Sequence, residues 1–265
     1  MVSAKVEPIV VPAWARMPWL IHGFSTRAGG RTTAYRADGD LNLGFTAEDS
    51  RATVVENREL LLRSLGSAPG SAPVTLRQTH SAILRRVDQS HMHAPAALEG
   101  DGLMTDAPGV LLSILTADCV PVLVVDPRNR AVAAFHAGWR GTVQQIVEWG
   151  VVRMRDEFAS DPRELLAAVG PAIGACCYEV GEELRDRFAD RFAYAAELFS
   201  SRPTVHLDLA EANRRQLISA GLAPDSITMT DACTACDRIR FFSHRAERGI
   251  TGRMMTIAGI RRNLI

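Results

Sequence analysis

The chain lacks an excess of either charge: 30 Lys+Arg stand against 30 Asp+Glu, for a formal net charge of zero. A protein dedicated to nucleic acid carries a basic surplus to neutralise phosphates, so no nucleic-acid partner is expected. Long apolar runs are also lacking. The longest, such as residues 120–125, fall far short of the roughly 20 residues a helical membrane span requires, so no membrane role is expected. Residues 1–20 hold Lys5, Pro8, Pro12 and Pro18, without the apolar stretch and small-residue cleavage site of a secretory signal. Cysteine is sparse. Five residues, an odd number that includes the adjacent pair Cys176-Cys177, do not make a disulfide scaffold and suit a reducing compartment. The expected location is the cytoplasm. No repeat of 20–50 residues is visible, and the Gly/Ser/Ala/Pro stretch 66–73 is too short for a domain linker. One domain over residues 1–265 is expected, and 47% hydrophobic residues suffice for its core.

Helical spacing predicts helices over residues 51–65, 142–158, 182–192 and 209–220, with Ser50 and Asp208 as N-caps and Gly66 and Gly221 as stops. Strands are predicted over 20–26, 74–79, 82–87, 110–116, 120–126, 131–136, 165–169, 227–230 and 254–260. Several connections are too short for a crossover helix, so neighbouring strands must be antiparallel or divergent. The expected class is mixed α/β, a mixed sheet covered by helices.

The chemistry concentrates in residues 116–142. Asp126-Pro127-Arg128-Asn129 is turn sequence between two apolar runs and reads as a hairpin. If Asp126 pairs with Ala131, His136 lies opposite Pro121 and Cys119 opposite Gly138. Cys119 and His136 then share a face as diagonal neighbours, close enough for S and N to converge on one ion. A register slip of one residue puts them on opposite faces. His80, in Gln78-Thr79-His80-Ser81 at a strand end, is the candidate third ligand. Three protein ligands and an open fourth position make a catalytic zinc site in which bound water titrates near neutrality. The same residues admit a metal-free reading, with Cys119 as nucleophile and His136 as its base.

With these residues identified, the chain resembles the bacterial laccase-domain family, once described as multicopper polyphenol oxidases and now as purine nucleoside phosphorylases with adenosine deaminase activity. The resemblance runs through His22-Gly23-Phe24-Ser25-Thr26-Arg27-Ala28-Gly29-Gly30, Leu41-Asn42-Leu43-Gly44, Gln78-Thr79-His80, Thr116-Ala117-Asp118-Cys119 and His136-Ala137-Gly138-Trp139-Arg140-Gly141. It continues in Gly170-Pro171-Ala172-Ile173-Gly174, Cys177-Tyr178-Glu179-Val180-Gly181, Cys233-Thr234, Phe242-Ser243 and Thr251-Gly252-Arg253. The resemblance implies zinc ligands at His80, Cys119 and His136, a three-layer α/β/α fold related to Cys–His hydrolase toxins, and a monomeric cytoplasmic enzyme. It implies action on adenosine, inosine and methylthioadenosine, with purine nucleosides and phosphate as the only partners. Two blocks depart from the family pattern: Ser243-His244-Arg245-Ala246, where an aromatic and two arginines usually follow the serine, and Glu99-Gly100-Asp101-Gly102, where an acidic-Ala-Asp-Ala block usually stands.

Four further residues are candidates for substrate. Arg27 and Arg140 lie in glycine-flanked loops and suit phosphate, whose oxygens a guanidinium fork can bind in pairs. Asn42 suits a sugar hydroxyl or closes a turn, and Asp118 suits a supporting role behind Cys119. Cys233-Thr234-Ala235-Cys236, a single CxxC motif, reads as structural or incidental. Copper is the alternative metal, but a four-copper laccase needs more histidine than seven residues with one His-x-His pair, His91-Met92-His93. A Cys–His hydrolase of cell-wall precursors is the alternative enzyme, and a non-catalytic ligand-binding module the alternative of another kind.

Overall fold

Alternation along the strands decides the layering in the computed structural model, which describes residues 5–35, 38–93, 98–201 and 203–262. A six-stranded sheet runs in the order Ile227–Met229, Leu166–Val169, Val120–Asp126, Ala131–Ala137, Gly102–Thr105, Leu84–Arg86. Val120–Asp126 is antiparallel to both of its neighbours, whereas the two pairs at the sheet's edges are parallel. A three-stranded antiparallel sheet runs Leu20–Phe24, Met254–Ile260, Leu111–Thr116.

Val120, Val122, Val124, Ala133 and Phe135 project from the large sheet into a core shared with helices Ile146–Phe158 and Leu209–Ser219. The intervening Leu123, Val125, Val132 and Ala134 meet Leu112, Ile114 and Ala258 of the small sheet. The small sheet's other face, with Ile21, Leu111, Met255 and Ile257, packs against Leu61 and Leu62 of helix Arg51–Ser64. The expected α/β/α layering is therefore present, and its middle is two stacked sheets. Each large apolar side chain fully buried here contributes about 1.5–3 kcal/mol. Among the described residues, no helix is long and apolar enough to cross a membrane.

The predicted caps are in place: Ser50 Oγ accepts from the Thr53 N–H, Asp208 from that of Glu211. The predicted helix 142–158 is instead two, Trp139–Val143 and Ile146–Phe158. The Gln216 side chain donates to the Thr142 carbonyl at 2.7 Å, and the Gln145 N–H reaches the same oxygen at 2.9 Å. Thr142 is thus satisfied outside a continuous α-helix, and Gln145 turns into the left-handed region at φ 60°. Strand Gly102–Thr105 was not predicted. Its four residues begin with glycine and show no alternation, being buried throughout.

Candidate metal centre

The hairpin pairs as its turn chemistry dictates. Asp126 Oδ1 accepts from the N–H groups of Arg128 and Asn129, Asp126 pairs with Ala131, and Pro121 pairs with His136. His136 has the parity of Val132 and Ala134, and Cys119 that of Leu123 and Val125. Both therefore point to the side of the large sheet that faces the small one, at the end of the space between them. Gly138 lies beside them, and a Cβ there would meet Cys119 Sγ at 3.0 Å and His80 Cδ2 at 3.1 Å. A larger residue there would press on both side chains.

His80 arrives from outside the hairpin, and its backbone is in the left-handed region at φ 58°. Asp101 holds it there. One oxygen of this fully buried carboxylate accepts from the His80 N–H at 3.0 Å and faces His136 Nδ1 at 2.8 Å. The other accepts from the N–H and hydroxyl of Ser81, both at 2.7 Å, and from the Thr79 N–H at 3.2 Å. Burial opposes ionisation, but the hydrogen bonds from His136 and Ser81 prevail and hold Asp101 well below the usual carboxylate range. Sequence reasoning did not single out Asp101 for this role. Its block, Glu99-Gly100-Asp101-Gly102, stood out only as a departure from the family pattern, and Asp101 lies behind the ligands. The signal that could have found it is an aspartate directly preceding the strand that pairs with His136.

The ligand atoms of His80, Cys119 and His136 all lie within 4.8 Å of one another. The set fits a metal. Asp101 fixes His136 through Nδ1 and leaves Nε2 for an ion, the pattern by which carboxylates orient metal-binding imidazoles. Two imidazoles and one thiolate suit zinc with an open fourth position, and the bond lengths of about 2.0–2.3 Å need only a small contraction.

Without an ion, the cluster is an ion pair. Burial would raise the Cys119 thiol, but the charge of His136 and hydrogen bonds from both histidines lower it to about 6. Burial would likewise strip His136 of its proton, but the Cys119 thiolate and Asp101 raise it to about 9. The lowered thiol stabilises the metal-free fold fully above its unfolded pKa of about 8.5, a contribution lost as pH falls through about 6. The raised imidazole stabilises it fully below its unfolded value of about 6.5, a contribution lost as pH rises through about 9. Alkylation of Cys119 in the chelated chain, followed by peptide mass spectrometry, should therefore reach half its maximum near pH 6. Added zinc should suppress it. Half-maximal labelling at the ordinary thiol pKa would mean that the pair does not form.

The three residues open on a cavity of about 720 Å³, whose wall includes Gln78, Asp118, Tyr178, His244, Arg245 and Arg253. That volume lies within the range of small-molecule sites. Arg245 stacks over Tyr178 and donates to the Glu179 carbonyl. Both residues of the departure His244-Arg245 thus line this cavity.

The other sequence candidates are placed differently. Arg27 does not grip phosphate: it is 2% exposed, forked onto Asp40 at 2.7 and 2.9 Å, and paired with Glu247 at 2.6 Å. Asn42 does not present itself to a sugar. It is fully buried, its amide donating to the Gly44 carbonyl and Asp49, its oxygen accepting from the N–H groups of Gly44 and Arg253. It closes a turn, the other role the sequence allowed. Arg140 is exposed, stacks 4.5 Å from the Trp139 ring, and is absent from the cavity wall. Asp118 does line the cavity. At φ 94° it leaves regular strand geometry, and its carboxylate accepts from Thr234 Oγ1 and the Arg245 N–H, both at 2.6 Å. It thereby fixes the loop that carries Arg245.

The chain belongs to the family described as multi-copper polyphenol oxidoreductase laccase, whose model matches residues 21–261. It is 37% identical over 250 residues to the purine nucleoside phosphorylase YlmD of Geobacillus stearothermophilus, covering 91% of this chain and 90% of that one. It is 34% identical over 245 residues to the adenosine deaminase RL5 of an unknown prokaryotic organism, covering 89% and 92%. The crystal structure of the hypothetical protein YfiH of Bacillus licheniformis superposes with a TM-score of 0.89 at 31% identity, covering 98% of each chain.

Proposed function

We propose that this member of the laccase-like family is a zinc-dependent purine nucleoside phosphorylase, working in the cytoplasm as a monomer of one domain. The observation that carries the reading is the His80–Cys119–His136 triad opening on a cavity edged by His244, Arg245 and Arg253. The names of relatives supply the substrate class. Two imidazoles and a thiolate also occur in copper sites with a weak axial methionine or glutamine, so copper is the second metal to test.

In phosphorolysis, a phosphate oxygen bonds ribose C1′ as the bond from C1′ to the purine nitrogen breaks. The base leaves with the electron pair and takes a proton. Arg245 and Arg253, both on the cavity wall, would bind phosphate oxygens. His80, Cys119 and His136 would hold the ion, which when bound supplies Lewis-acid polarisation. Asp101 keeps the His136 tautomer in which Nε2 is the ligand.

The test is formation of ribose 1-phosphate from adenosine, inosine or methylthioadenosine by the metal-loaded chain. Product should require phosphate and vanish on chelation. Absence of a phosphate-dependent product overturns the reading. A second activity, adenosine deamination, is favoured by the relative bearing that name, and appears in the same assay as ammonia and inosine released without phosphate. A chelation-resistant amidase activity lost in Cys119→Ala would instead establish the Cys–His hydrolase.

A further inference from the structure

Four of the five cysteines play no part in that site, and the fold gathers them into a second cluster. The adjacent pair Cys176-Cys177 follows the strand Leu166–Val169, and Cys233 and Cys236 follow the strand Ile227–Met229. Those strands are parallel neighbours, and their extensions stay joined beyond the sheet. Ala172 bridges to Cys233, the Thr234 N–H donates to the Ala172 carbonyl, and the Ala172 N–H to the Ala232 carbonyl. The result is four Sγ atoms within 4.8 Å of one another.

We propose that Cys176, Cys177, Cys233 and Cys236 form a second, structural zinc site, closed by four thiolates. Tetrahedral zinc with bonds of about 2.3 Å sets its sulfurs about 3.8 Å apart. Cys236 Sγ lies 3.5 Å from Cys176 Sγ and 3.3 Å from Cys177 Sγ. Slight expansion admits the ion. Cys236 sits almost equally near two partners, which fits a shared ion better than one disulfide partner. The Gly174 N–H donates to Cys233 Sγ at 3.2 Å, the kind of backbone donation that stabilises a metal-bound thiolate.

The cluster braces the wall of the cavity. Its first strap carries Ile173 and Tyr178, both lining residues, and its second carries Thr234, which holds Asp118. The inference goes beyond the proposed activity and stands or falls separately, because the two sites use different residues.

The test is metal analysis of the purified, reduced full-length chain, washed free of loose metal. Two zinc ions per chain are expected. His80→Ala should carry one, and the double variant Cys233→Ser with Cys236→Ser should carry one and melt at lower temperature. Cobalt substitution of His80→Ala should give the intense thiolate-to-metal charge-transfer band of a four-sulfur site, a readout independent of activity. If the double variant fails to fold, thiol titration of the native chain with peptide mapping decides: all five thiols protected, Cys176, Cys177, Cys233 and Cys236 among them, and released by a chelator. A single zinc unchanged by loss of Cys233 and Cys236 overturns the proposal. So does iron at these sulfurs, or a metal-free mass lowered by the hydrogens of a disulfide. A failed nucleoside assay with two zinc ions present would overturn the proposed activity and leave this site standing.

Discussion

Asp101→Asn is expected to weaken metal binding at His80, Cys119 and His136 by about 10–100-fold, with activity falling alongside. The carboxylate receives only donors: three N–H groups, the hydroxyls of Thr79 and Ser81, and His136 Nδ1. An asparagine brings two donor hydrogens into this all-donor pocket. With its NH₂ toward Ser81, it faces the N–H groups of Thr79 and Ser81. With its NH₂ toward His136, it donates to Nδ1 and drives the imidazole proton onto Nε2, the atom an ion needs. Either orientation harms the site, one by unseating His80 and the other by inverting His136. Zinc competition with a chromophoric chelator measures the affinity, and circular dichroism checks that the fold persists. An affinity equal to that of the parent chain would show that Asp101 does not orient the ligands.

Arg27→Met is expected to destabilise the chain by about 3–5 kcal/mol, the usual effect of removing one partner from a buried ion pair. Its charge lies between two carboxylates with side-chain exposures of 4% and 13%, and methionine leaves both without their counter-ion. For a chain of this size, that is a drop in Tm on the order of 10 °C. Glu247 also accepts from the Thr251 hydroxyl, and Thr251 lines the cavity, so the damage should reach substrate affinity too. Adding Asp40→Asn and Glu247→Gln should recover part of the Tm by removing the stranded charges. No recovery would mean that the packing of Arg27 on Phe242, at 4.6 Å, matters more than its charge.

Nearly all of the large-sheet and small-sheet strands were legible in sequence, because short apolar runs and turn chemistry act locally. The hairpin register was legible for the same reason: the Asp126 turn fixes it, and with it the shared face of Cys119 and His136. The strand Gly102–Thr105 was not, since four residues opening on glycine are too few to show a pattern, and Asp101 was hidden with it. Arg27 misled, because a glycine-flanked arginine marks where backbone packs closely, and here the close partner is the protein itself. The cysteine cluster needed the tertiary fold, because a parallel strand pair brings together motifs about 60 residues apart in the chain.

The three ligands differ in how far they are reached by water. His136 is 4% exposed, Cys119 is intermediate, and His80 is exposed, while all three border one cavity. An ion and a nucleoside would then use the same doorway. A nucleoside seated in the cavity would stand in the path by which the ion departs, so turnover itself would guard the metal against loss. By linkage, any substrate that binds the loaded chain more tightly raises its hold on the ion by the same factor. In a cell with little free zinc, such a chain would keep its metal best while at work and surrender it most easily when idle.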